Sequence, residues 1–363
     1  MAEAAGDRRT LRYGLIGCGM MGVEHLLNLR LVPGVEVAAV ADPFERSRKW
    51  ARDTAPGAAI YEDYRKLLAE TALDAVVVAT PNHTHAEVLD HVLERPVHVL
   101  VEKPLCTTLE DCRRVEARAA RHEGVVWVAM EYRYMPPVAR LIREVRAGSV
   151  GRLRMLAIRE HRFPFLPKVG DWNRFARNTG GTLVEKCCHF FDLMSLIVGE
   201  RAVRVYASAG QDVNHLDERY DGETPDILDN AYVVVDFEGG CRALLDLCMF
   251  AEASRNQEEI AATGDRGKVE CFIPESTLVI GRRHPRGVET HPVAVDEKIL
   301  RAGAHHGATW FEHMGFRRAI LEGSAPEVSV ADGVRAVALG LAAERSAREH
   351  RPVELTEGTV LLP

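Results

Sequence analysis

The hexapeptide Gly17-Cys18-Gly19-Met20-Met21-Gly22 follows directly on the apolar run Leu11–Ile16 and opens a helical stretch. Glycines at this spacing permit a tight turn from strand to helix, let a ligand's phosphates approach the backbone, and let the helix pack close on the strand. Asp42 ends the next β-branched run, Val35–Ala41, twenty residues past Gly22. This arrangement predicts a βαβ unit that holds a pyrophosphate on the helix amides and a ribose on the carboxylate. Further runs at Asp74–Ala79, Pro96–Val101 and Val125–Met130 alternate with helical segments. One of these segments, Thr84–Leu93, opens with Thr84 and Glu87 spaced as a capping box. Short, apolar, β-branched strands alternating with helices predict a doubly wound parallel sheet.

The pattern changes after Glu131. Met135-Pro136-Pro137 starts a helix with Val138, Leu141, Ile142 and Val145 on one face, ending at Gly148. From Gly151 to about Thr290 the chain is mostly strand-like, as at Arg154–Arg159, Arg204–Ala209, Ala231–Phe237, Cys241–Cys248 and Lys268–Phe272. A helix over about Leu183–Val198 interrupts it, and helices near Ala308–Leu321 and Val330–Arg348 close the chain. At 363 residues the chain exceeds one core of ordinary size. The expected fold is α/β. A Rossmann doubly wound parallel sheet over residues 1–130 precedes an α+β domain with a largely antiparallel open sheet over 131–363, for substrate binding and oligomerisation.

Charge and cysteine usage narrow the function. A net charge of −7 offers no electrostatic footprint for nucleic acid or an anionic membrane. No apolar run is long enough to span a bilayer, and the polar Met1–Thr10 does not read as a secretory signal. The eight cysteines form no CxxC pair, so free thiols in a reducing cytoplasm are expected, with no metal site. The Asp42 carboxylate favours NAD over NADP because it would repel a 2′-phosphate, although Arg46 and Arg48 follow closely.

Four further stretches sharpen the reading. These are Thr80-Pro81-Asn82-His83-Thr84-His85, Glu102-Lys103-Pro104, Gly180-Gly181 before a helix with His189 and Asp192, and Val330–Val353. With the glycine motif, they make nearly the whole chain resemble the glucose–fructose oxidoreductase, inositol dehydrogenase and rhizopine-catabolism family (Gfo/Idh/MocA). The resemblance implies a cofactor site at Gly17, Gly19, Met20, Met21, Gly22, Asp42, Thr80, Asn82, His85, Glu102 and Lys103. It puts Lys103 at the nicotinamide and the substrate, and it makes His189 the catalytic histidine. Where the family has an aspartate four residues before that histidine, this chain has Glu185. A homodimer or homotetramer formed through the open sheet face is also implied.

The residues suggest related chemistry on their own. On a continuous helix, Glu185 and His189 at i, i+4 share one face, and a carboxylate there can fix the imidazole tautomer. The expected roles are His189 as general acid or base, Lys103 as electrostatic partner and proton relay, and Glu185 as orienter. Arg133 and Tyr134 could bond sugar hydroxyls or serve domain packing. Arg162, Trp172, Arg174 and His306 are further substrate candidates beside Lys103 and His189, since donors near an aromatic ring suit a carbohydrate. His83 and His85 fit cofactor-loop contacts better than a metal. The leading expectation is a dehydrogenase acting on a ring alcohol of a sugar, glycoside or inositol. The alternatives are a redox-neutral glycosidase that borrows NAD, and a non-catalytic NAD(P)-binding regulator.

Overall fold

The structure, a computed structural model, describes residues 9–356 and 360–361. Met1–Arg8 of the amino-terminal reading therefore lie outside the described residues. Six parallel strands, β1 (Leu11–Ile16), β2 (Val35–Ala41), β3 (Ala59–Tyr61), β4 (Ala75–Val78), β5 (His98–Val101) and β6 (Val126–Val128), form the first sheet in the order β3-β2-β1-β4-β5-β6. Val76–Val78 and Val99–Val101 are fully buried, as strands covered on both faces must be. The short β3 had no sequence signal of its own.

The second sheet comprises β7 (Leu153–His161), β8 (Ala202–Gly210), β9 (Asn230–Phe237), β10 (Arg242–Cys248), β11 (Glu258–Gly264), β12 (Gly267–Ile273), β13 (Thr277–Arg282), β14 (Gly287–Pro292), β15 (Val353–Thr356) and β16 (Val360–Leu361). Their order is β14-β13-β12-β11-β7-β10-β9-β8-β15-β16. The pairs are antiparallel except β7 with β10. Alternate residues such as Ala231, Val233 and Val235 point into a core, while Tyr232 and Val234 face outward. The fold is thus a Rossmann-like α/β half followed by a mostly antiparallel half.

The helix Val330–Glu349, opened by a Ser329/Asp332 capping box, joins the halves. It packs on the helices Leu109–Ala119 and Cys188–Val198 and on β8. Its small residues allow this close approach: a Cβ added at Gly340 would lie 2.5 Å from the Leu183 carbonyl. Val334, Val337 and Phe316 enter the core of the first sheet, so the carboxy-terminal helices complete it.

Two local expectations are corrected. Thr84 makes no side-chain cap; its hydroxyl turns back to Thr80 Oγ1 (2.9 Å) and the Pro81 carbonyl (2.7 Å), closing a 3₁₀ turn, Asn82–Thr84, ahead of the helix His85–Val92. The expected helix over Leu183–Val198 is two pieces, Thr182–Glu185 and Cys188–Val198. Between them the Cys187 amide donates to the Thr182 carbonyl, five residues back. A wide turn of this kind breaks the i, i+4 spacing on which a shared face for Glu185 and His189 depended.

Candidate functional site

The loops following β1, β2, β4, β5 and β6 carry the glycine motif, Asp42, Thr80, Lys103 and Glu131 respectively. All therefore gather at the carboxyl edge of the parallel sheet, where open α/β folds bind ligands. The glycines divide by task. Gly17 has φ +91°, and a Cβ there would meet the Ala79 carbonyl at 2.5 Å; a Cβ on Gly22 would meet the Gly17 carbonyl at 2.2 Å. Those two are required by the turn. Gly19 adopts φ −76°, and a Cβ on it would touch nothing within 4 Å. The space at Gly19 is thus open for a phosphate. Met20 and Met21 begin the helix Met20–Leu29, whose first turn carries no carboxylate to compete with an anion.

Asp42 is buried and pins the loop: Oδ2 accepts from the Cys18 amide and Oδ1 from the Phe44 amide, both at 2.8 Å. Each oxygen keeps a lone pair for a ribose hydroxyl. Arg48 bonds the carbonyls of Asp42 and Pro43 and the Glu45 carboxylate, while Arg46 lies over the Trp50 ring. His85 is fully buried and bridges the carbonyls of Pro104 (2.9 Å) and Thr80 (3.0 Å), tying two site loops together. Asn82 Nδ2 is buried without a partner among the described residues. Glu102 is held by His25 Nε2 (2.8 Å) and the Lys103 amide (3.0 Å), and His25 is in turn bonded to His313 (2.9 Å). These residues fit a dinucleotide.

Beyond the cradle, Lys103 Nζ donates to the Glu185 carbonyl (3.3 Å), the group at the helix break. Burial opposes its charge, but Cys188, Glu102, Glu131 and Glu185 outweigh burial and hold the ammonium above its ordinary value. Glu185 itself meets Lys168 Nζ at 3.5 Å, and its Oε2 has no partner among the described residues. Lys168 also lies 4.7 Å above the Trp172 ring, with His83 edge-on to the same ring. Glu185 and Trp172 therefore meet through Lys168.

His189 is 1% exposed and stacks on Tyr132, with centroids 4.1 Å apart and planes 9° from parallel. Burial, reinforced by Lys103, Lys186, His305 and Arg162, drives its pKa well down, so it is neutral near pH 7 and able to accept a proton. Its Nε2 faces Glu131 Oε1 at 3.7 Å, and its Nδ1 has no partner among the described residues. Glu131 is fully buried. Behind the stack, the Tyr132 hydroxyl accepts from Lys186 Nζ (2.6 Å) and donates to Glu258 (3.3 Å), while Lys186 pairs with Glu160 (2.9 Å). Arg162 donates to the same Glu160 oxygen (3.3 Å).

Other candidates lie elsewhere. Arg133 is locked on Asp192 by two bonds (2.6 and 2.5 Å) and on the Glu327 carbonyl, and Tyr134 donates to Glu327 Oε2. Both line a cleft of about 800 Å³ with Arg143, Phe311 and Met314. Arg174, 2% exposed, pairs with Glu218, and His306 bonds Ser276. The neighbour of His306, His305, is the one that enters the site, 2.8 Å from Glu24 and 3.6 Å from Glu131. Glu131, Lys168 and Lys186 carried no motif that would have selected them in sequence, whereas Tyr132 follows the last strand of the first sheet and His305 adjoins the candidate His306. No group of three or more metal-ligating side chains occurs among the described residues.

Residues 11–130 match the family model described as the oxidoreductase family, NAD-binding Rossmann fold, and 142–355 match its C-terminal alpha/beta domain. Among curated relatives, a myo-inositol 2-dehydrogenase of Thermotoga maritima is 27% identical over 96% of this chain and 99% of its own. The inositol 2-dehydrogenase 2 of Saccharopolyspora erythraea is 31% identical over 79% of each. A solved levoglucosan dehydrogenase, in complex with NADH and levoglucosan, shares the fold with a TM-score of 0.81 at 21% identity, over 95% of this chain and 99% of that one. With the glycine cradle at one end of the cleft and Lys103 and the buried His189 at the other, both family domains are accounted for, and this chain belongs to the Gfo/Idh/MocA oxidoreductases.

Proposed function

We propose that this oxidoreductase transfers hydride between NAD(H) and a secondary alcohol or ketone on the ring of a sugar, glycoside or cyclitol. The observation that carries the proposal is that, beyond the dinucleotide cradle, a half-buried Lys103 held on the Glu185 carbonyl stands with a buried His189 whose Nδ1 has no partner among the described residues. Bound NAD supplies the hydride acceptor. His189 takes the hydroxyl proton as the carbonyl forms, and Lys103 steadies the developing alkoxide. In the reverse direction His189 returns the proton. Lys168 above Trp172 and the Glu160–Arg162 pair offer charged and aromatic contacts for further ring hydroxyls. The inositol dehydrogenases among the relatives and the levoglucosan complex support this substrate class.

Asp42, with Arg48 already engaged, favours NAD over NADP. The eight free cysteines suit a reducing cytoplasm. No described helix is long and apolar enough to cross a membrane. The outer face of the second sheet exposes Tyr206, Val234 and Leu244, which are cross-strand neighbours on β8, β9 and β10. Such a stripe favours a homo-oligomer that covers it. The functional test is absorbance at 340 nm with NAD or NADP and a panel of inositols, hexoses, anhydrosugars and glucosides. NADH formation with one of them supports the proposal. Glycoside cleavage without net NADH would replace it with the redox-neutral hydrolase, and silence with intact NAD binding would replace it with a regulator.

A further inference from the structure

Oxidation of an alcohol by NAD sends a hydride to the nicotinamide and leaves one proton behind, and in a closed cleft that proton needs an exit. Glu185 does not serve His189, because its carboxylate faces Lys168. Glu131 instead stands in front of the His189 ring. It is 0% exposed, and neither of its oxygens has a hydrogen-bond partner among the described residues. Burying a carboxyl group without partners is costly, so its place calls for a role in the working complex. Its Oε1 lies 3.7 Å from His189 Nε2 and 3.6 Å from His305 Nε2. Both distances are just outside hydrogen-bonding range, and contacts of this kind tighten once a substrate is bound. His305 has a side chain 23% exposed, the most open member of the chain.

We infer that Glu131 is the positioning carboxyl for His189 and the next stop for its proton, with His305 as the outlet to water. This rests on the dehydrogenase reading above. With Nε2–H turned to Glu131, His189 keeps a bare lone pair on Nδ1, the nitrogen without a protein partner, for the substrate hydroxyl. The O–H proton passes to Nδ1, and the Nε2 proton passes to Glu131. His305 gives its Nε2 proton to water and takes the one from Glu131. The net products are the ketone, NADH and one proton in solution, and the Nδ1–H tautomer left on His189 reverts to Nε2–H by proton exchange with water once the product has gone.

The electrostatics agree with this geometry. Glu131 is faced by His189, His305, Lys103, Glu102, Glu24 and Glu312. Burial, with Glu102 and Glu24, raises its pKa to about 7 against the pull of His305 and Lys103, so it can hold or release a proton near neutrality. Burial opposes charge on His305, but Glu131 and Glu24 prevail and lift it to about 9.

The isosteric Glu131→Gln variant tests the inference in two ways. The first needs no substrate: ¹⁵N NMR of the free protein, with His189 assigned through H189Q. The expected wild-type ring is protonated on Nε2 and bare on Nδ1, and E131Q should change that tautomer balance. The second is turnover against pH with whichever polyol the wild type oxidises. The wild-type kcat should rise through a limb near pH 7, while E131Q should lose that limb and about 10- to 100-fold in kcat, with NAD affinity unchanged. Glu131→Asp should recover part of the loss. His189 resonances that E131Q leaves unmoved, or an intact pH limb, would overturn the inference. If the wild type reduces no NAD with any polyol, the dehydrogenase reading fails, and the NMR arm still decides whether Glu131 governs His189.

Discussion

The two ends of the cleft treat buried polar groups differently. At the cofactor end, both Asp42 oxygens and both Glu102 oxygens have partners. At the substrate end, Glu131, Glu160 Oε2, Glu185 Oε2 and His189 Nδ1 have none among the described residues. A site for an invariant ligand can be built largely from backbone and pre-satisfied side chains. A site for a reacting ligand keeps donors and acceptors in reserve, and the cost of leaving them bare is met by the surrounding fold. Asn82 Nδ2 is an exception at the cofactor end, where an amide without a partner among the described residues is suited to the dinucleotide.

The sharpest way to break the contrast is to remove charge from the reacting end. Lys103→Met should lower turnover by about 10³-fold, because it removes an electrostatic contact to the developing alkoxide. Calorimetry should find NAD affinity within about twofold of the parent, as the cradle is intact. A smaller effect separates the glycines. Gly19→Ala should melt with the parent, since its backbone angles suit alanine and the added methyl meets open space, yet bind NAD about tenfold or more weakly. Gly17→Ala should instead melt earlier, by an amount equivalent to about 1–3 kcal/mol, because φ +91° and the Ala79 carbonyl both oppose a Cβ.

The smallest expected effect is the pH dependence of stability. Glu131, raised from 4.5 to about 7, stabilises the fold below pH 4.5 relative to higher pH, and this contribution is lost as pH rises through 7. His305, raised from 6.5 to about 9, contributes stability below 6.5 that is lost as pH rises through 9. Glu24, lowered to about 2 by hydrogen bonds from His305, Ala304 and Thr309 despite burial, contributes above 4.5 and loses that contribution as pH falls through 2. Melting temperature attributable to these groups should therefore decline from about pH 5 to pH 9. Glu131→Gln should flatten the segment between 4.5 and 7, and His305→Gln the segment between 6.5 and 9. Parallel declines in all three proteins would show that other groups set the curve.

What was legible in the sequence follows the same contrast. The glycine motif, Asp42 and the apolar parallel strands were readable because each reflects a local demand: a turn, a close approach or burial on both faces. The strands Glu258–Gly264, Thr277–Arg282 and Gly287–Pro292 were not individually marked, since the first opens on two glutamates and the last is an exposed edge. The substrate end was less legible. A helix from Leu183 to Val198 is the natural reading of that apolar stretch, and nothing in Glu185-Lys186-Cys187 announces the wide turn that sends Glu185 toward Lys168. Glu131 sits between an apolar strand and Tyr132, and only the tertiary fold brings His189 and His305 to it. Between two adjacent histidines, 305 and 306, the backbone decides which one faces the site.

The most direct test of the central claim follows the hydride itself. The protein would be incubated with NAD and a carbon-perdeuterated pool of inositols, hexoses and glucosides, and the nicotinamide product examined by mass spectrometry. The expected product is NADH carrying one deuterium, formed by the wild type and not by K103M. Unlabelled cofactor, with the pool either unchanged or cleaved at its glycosidic bonds, would contradict it.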